Sequence, residues 1–132
     1  PPMSLTGNIA ELAAAIAQEV RARITADHPA LARAWVCFGT VGDQVVIRSA
    51  FNVDSVIRVA RGKYRVVFAE PMPDDAYCWT AFARNAGRQS AMKAAGARAR
   101  AEAKTTAFVE VICTTAAGTL TDTSELNLIV FR

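Results

Sequence analysis

Residues able to do nucleophilic, acid–base or metal chemistry are few in this chain and form no recognisable constellation. The only histidine, His28, stands beside Pro29. A Ser–His–Asp or Cys–His nucleophile would have to be built on that single imidazole. Its position at the end of a helical pattern predicts a capping or solvent-facing role instead. Cys37, Cys78 and Cys113 are odd in number and include no C-x-x-C pair, which speaks against a disulfide framework or a zinc site. Each lies in an apolar run (Trp35-Val36-Cys37-Phe38, Tyr77-Cys78-Trp79, Val111-Ile112-Cys113), so buried, inert thiols made in a reducing compartment are expected. Glu70, Asp74 and Asp75 cluster around Pro71 and Pro73. A glycosidase needs two carboxylates facing each other across a cleft, whereas Asp next to Pro is explained by turn chemistry. No H-x-x-x-H, D-x-D-x-D-G or Gly-rich phosphate loop occurs. No catalytic, metal or cofactor-binding residue is assigned and no cofactor is expected. The chain reads as non-enzymatic, with a small glycan-active enzyme the least supported alternative.

The one concentrated chemical feature is positive charge. Between residues 84 and 104, Arg84, Arg88, Lys93, Arg98, Arg100 and Lys104 oppose only Glu102. Alanines there favour helix, while Gly87 and Gly96 argue against a long one. The segment reads as an exposed basic insertion, a long loop between two strands, able to meet an acidic protein or an anionic polysaccharide. No aromatic residue interleaves the charges, so nucleic acid is not expected as a partner.

Two kinds of element must position these residues. Leu5, Ile9, Leu12, Ile16, Val20 and Ile24 recur every three or four residues, the spacing of an amphipathic helix. Thr6 or Asn8 could cap its start, and His28-Pro29 ends it. A helix of this length is marginal alone in water and needs a partner. From residue 34 the period changes to two. The stretches 34–38, 45–51, 55–59, 64–68, 77–82, 106–114 and 126–131 read as strands, with hairpin loops at 39–43 and 60–63 and a longer polar connection at 115–124. Trp35, Trp79, Tyr64 and Tyr77 lie within strands, where a core or subunit-interface role is expected. Arg48, Arg58 and Arg65 interrupt apolar strands and predict solvent-facing positions or intersubunit salt bridges.

These patterns bound the fold. A chain of 132 residues, 52% hydrophobic and 20% charged, has room for one packed domain plus an appendage. The expected architecture is mainly β: an N-terminal helix and linker over 1–33, then a single antiparallel β-sandwich-like domain over 34–132. No apolar run is long enough for a membrane span and no signal peptide is visible, so membrane insertion is not expected. The opening Pro1-Pro2-Met3 is what initiator removal could leave, and predicts a complete small protein.

The β region carries a family resemblance. Ala34-Trp35-Val36-Cys37-Phe38, then Val46 to Val53, Ser55-Val56-Ile57, Gly62 to Phe68, Pro71-Met72-Pro73-Asp74, Tyr77 and Leu128 to Arg132 form an ordered series of short patterns. Together they resemble the C-terminal β domain of bacteriophage tail-fibre and related tail proteins. The chain departs from that pattern at Cys37, where a polar residue is usual, in the basic Ala60-Arg61-Gly62 turn, and in the 84–104 segment, which lacks the Ser, Asn and Thr of typical fibre tips. The resemblance implies a virion structural protein of the tail, made in the host cytoplasm. It implies a homotrimer whose N-terminal segment docks into the tail, with other tail proteins and host surface polysaccharide as further partners. Three helices on one axis would bury Leu5, Ile9, Leu12, Ile16 and Val20 together. The alternative is a capsid decoration or cement protein that sets a basic arm against an acidic shell.

Overall fold

A computed structural model of the chain describes residues 5–23, 31–85 and 92–132. Two compact units, residues 1–31 and 32–132, divide the chain. The first contains helix α1 (Leu5–Arg23). Nineteen residues of straight α-helix reach about 28 Å. His28, expected near its end, lies outside the described residues.

The second unit is a sandwich of two antiparallel four-stranded sheets. Its strands are β1 (Ala32–Val41), β2 (Gln44–Phe51), β3 (Val53–Ala60), β4 (Lys63–Phe68), β5 (Cys78–Arg84), β6 (Lys93–Ala97), β7 (Phe108–Thr115) and β8 (Glu125–Phe131). Sheet A runs β2-β1-β8-β5 and sheet B runs β3-β4-β7-β6. Side chains alternate across a strand, and the central strands obey that rule closely. Val36 and Phe38 of β1, and Leu126, Leu128 and Val130 of β8, are buried from sheet A. Tyr64, Val66 and Phe68 of β4, and Val109, Val111 and Cys113 of β7, meet them from sheet B. Phe38 and Tyr64 touch edge to face across the core with ring centroids 5.1 Å apart, a favoured aromatic geometry.

Local chemistry fixes the register. Gly42 at φ 66° opens the two-residue turn between β1 and β2, where a side chain would be strained. Gly39 sits so close to the strand opposite that a Cβ would lie 1.9 Å from the Ser124 carbonyl oxygen. A bulge in the β1–β2 pairing leaves Arg48 without an opposite residue.

Every segment expected to be a strand contains one, with ends shifted by a few residues. The 84–104 segment is different from the loop expected. Its described part holds the end of β5, the whole of β6 and a single 3₁₀ turn at Ala101–Ala103, with Ala103 buried. The edge of β7 supplies the missing force: backbone pairing along Lys93–Ala97 outweighs the helix propensity of three alanines. The central arginines also correct an expectation, because Arg48, Arg58 and Arg65 pair within the chain, with Glu125, Asp122 and Glu110.

Candidate interaction surfaces

The helical stripe is bare. Ile9, Leu12, Ile16 and Val20 are 47–62% exposed, and Leu5 opens the same helix. All five proposed self-association positions thus lie on α1, at the spacing of one face. An apolar row left in water is an unmet opportunity for burial.

The basic residues do not gather into the free cationic patch expected of them. The Lys93 ammonium donates to Thr121 Oγ1 at 2.9 Å and to the Asp122 carbonyl at 3.3 Å. The Lys104 ammonium donates to the Tyr77 carbonyl at 2.7 Å and lies 4.5 Å from the Tyr77 ring centroid, a cation–π distance. Arg98 binds Glu110 at 2.5 Å. Arg84 donates to Glu125 at 2.8 Å, and Arg100 pairs with Glu102. Arg88 lies outside the described residues. Positive charge that sequence assigns to an exposed arm is largely neutralised by partners on β7, on β8 and in the chain between them. Those partners are distant in sequence, and no local pattern announces them.

Three carboxylates anchor the β domain. Asp122 accepts from the Arg58 guanidinium, from the Gly62 amide at 3.0 Å and from the Tyr64 hydroxyl at 2.6 Å. Burial alone would raise its pKa, but hydrogen bonds from Arg58, Tyr64 and Gly62 outweigh that and hold it at about 2. Glu110 is buried on β7 and grips Arg65 on one side and Arg98 on the other. Burial raises its pKa too, and the two guanidinium hydrogen bonds more than reverse the effect. Asp74 accepts from both Arg132 nitrogens and from the Ala76 amide. First Arg132 and then the Ala76 amide bring its carboxyl down to about 2. That local amide bond is the turn chemistry expected for the acidic group around Pro71 and Pro73.

The outer faces of the two sheets contrast. On sheet B, Glu110 joins Arg65 and Arg98, and the Arg65 guanidinium carbon sits 4.3 Å above the Phe108 ring. Sheet A presents apolar residues instead. Trp35 pairs in register with Phe51 on one side and Ile129 on the other, while Cys78 pairs with Phe131. All are exposed, as is Phe82 further along β5. The Trp35 and Phe51 rings stack with centroids 6.5 Å apart. The thiols are free, with Cys113 buried and Cys37 half-buried. Cys78 therefore corrects the expectation of three buried thiols. As first residue of an edge strand, opposite outward-facing Phe131, it cannot reach the core.

No group of three or more His, Cys, Asp and Glu residues suited to a metal ion occurs among the described residues. No described helix is long and apolar enough to cross a membrane. No protein-family model, curated protein or solved structure matches the chain.

Proposed function

We propose that this protein is a structural component of a bacteriophage tail, associated with the fibre or baseplate. On this reading it assembles as a homotrimer through α1 and serves fibre attachment or host adsorption, without enzymatic activity. The observation that carries the reading is the bare stripe of α1 beside a separate β unit with its own core. A helix that exposes Ile9, Leu12, Ile16 and Val20 gains on the order of 1.5–3 kcal/mol for each side chain fully buried, which offsets its ordering cost only when several are buried together. Copies of the same helix supply that burial. The residues that resemble tail-fibre domains lie mostly on β1–β4 and β8 and so form one connected part of the sandwich. A capsid cement would need a free basic arm, and the ion pairs of Arg84, Arg98 and Arg100 leave that alternative less support.

Two measurements test the proposal. Purified protein should sediment at three times the chain mass. Peptides of the chain should be found in tail fractions of virions made by the host that carries the gene. A monomer at micromolar concentration refutes the assembly, and virions that lack the chain refute the location.

A further inference from the structure

The outer face of sheet A is built for burial rather than for water. In an antiparallel sandwich the outward residues of each strand are ordinarily polar. Sheet B follows that rule with its Arg65–Glu110–Arg98 chain of ion pairs. Sheet A breaks it, with Trp35, Phe51, Phe82, Ile129 and Phe131 exposed along four adjacent strands. Phe82 is 72% exposed and Phe51 52%.

We propose that this face packs against the same face of two further copies around a three-fold axis, closing a dry apolar prism. The inference rests on the trimeric reading of α1 and adds a second, separate contact to it. Its geometry can be checked with general dimensions. Four strands spaced about 4.8 Å apart make a face about 19 Å wide. Three such faces close into a triangle whose sides lie about 5.5 Å from the axis, close to half of the ~10 Å at which sheets pack face to face. A four-stranded face therefore has the width for which three copies meet without a central void.

Area argues the same way. Strands of about seven residues at ~3.3 Å each give a face of roughly 400 Å². That is below the ~800 Å² per partner of a typical stable interface. The face alone is too small, and a second surface on the same chain is required. The exposed stripe of α1 provides one. The amide of Asn127, the polar group near the centre of the face, already donates to Glu125 at 3.1 Å. Closing the prism therefore need not leave that amide unpaired.

The test uses the full chain. Ile129→Glu and Phe82→Glu each place a charge on the face, and Phe82 lies on an edge strand where the core is not disturbed. Ile57→Glu, on the outer side of sheet B and 48% exposed in the wild type, is the control. Sedimentation gives the mass, and maleimide labelling mapped by mass spectrometry reads the accessibility of Cys78, which opens onto the face. Expected are a wild-type trimer with Cys78 protected, loss of both trimer and protection in the two face variants, and no change in the control. A wild-type trimer with freely reactive Cys78, or face variants that stay trimeric, overturns the prism and leaves the helical trimer standing. A wild-type monomer with reactive Cys78 overturns both readings. A monomer with protected Cys78 shows that another part of the chain covers the face and overturns the three-fold proposal, as does any other stoichiometry.

Discussion

The Tyr64 hydroxyl donates to Asp122 Oδ1 at 2.6 Å, joining the middle sheet-B strand β4 to the chain that leads into β8 of sheet A. Burial first, and then this bond to a carboxylate, raise the tyrosine pKa well above its ordinary value. Asp122→Ala removes the acceptor shared by Arg58, Gly62 and Tyr64. It should destabilise the domain by about 2–3 kcal/mol, the worth of hydrogen bonds to a charged group. Urea denaturation followed by tryptophan fluorescence measures it.

The same residue sets a pH dependence. Its folded pKa of about 2 lies below the ordinary 3.8, so the unfolded chain binds the proton first as pH falls. The stabilisation is fully present above about pH 4 and is lost as pH falls through 2. The stability gap between wild type and Asp122→Asn should be widest at neutral pH and narrow steadily between pH 4 and pH 2. A gap that stays constant over that interval contradicts the assignment.

Arg98 should behave as a structural residue rather than as part of an exposed arm. It holds Glu110, which is buried, from the side opposite Arg65. Arg98→Glu sets two carboxylates together in a desolvated position and should cost about 3 kcal/mol or more. Arg100→Glu, whose partner Glu102 is exposed, should cost less than about 1 kcal/mol. Thermal melts of the two variants side by side discriminate the roles.

Gly39 and Gly62 should tolerate no side chain, for different reasons. At Gly39 the obstacle is the Ser124 carbonyl, so Gly39→Ala must push β1 and the start of β8 apart. Gly62 combines φ 70° with a Cβ position 2.7 Å from the Cys113 carbonyl oxygen. Each alanine variant should lose on the order of 2–4 kcal/mol. Gly42→Ala, with open space but φ 66°, should lose about 1 kcal/mol. The ranking is readable from denaturation midpoints.

Leu12→Glu and Ile16→Glu alter the centre of the exposed α1 stripe. Neither residue belongs to the sandwich core, so the melting of the β domain measured by near-ultraviolet dichroism should stay the same. The assembled fraction at micromolar concentration should fall by at least about tenfold, equivalent to ~1.4 kcal/mol. Undiminished assembly would assign the stripe to docking on another protein.

What could be read from sequence follows how local the signal is. Val36 and Phe38, or Leu126, Leu128 and Val130, repeat every second residue because one strand face meets a core, and the helix and seven strands were legible for that reason. The strand Lys93–Ala97 was not, since its alanines and glycine carry no strand preference and only β7 makes them one. The cations were legible as charges but not as pairs. Arg58 and Asp122 stand 64 residues apart, and such pairing is a property of topology. The outer face of sheet A lay between these cases. Alternation puts Trp35 opposite in sense to Val36, but nothing local says that Phe51 and Ile129 come to lie on either side of it.

The pairing of β1 with β8 has a consequence for biosynthesis. Ala32 stands opposite Phe131, so the first strand of the domain depends on the last for one of its two neighbours. A ribosome delivers β1 through β7 before that neighbour exists. Sheet B lacks no strand by then, because β3, β4, β6 and β7 have all emerged. Sheet A at the same moment is a β1–β2 hairpin and a detached β5, with Val36 and Phe38 missing half of their inner layer. The nascent chain should therefore hold one finished sheet and one open one, most exposed to proteases and chaperones just before synthesis ends, and close in a single late step when β8 slides between β1 and β5.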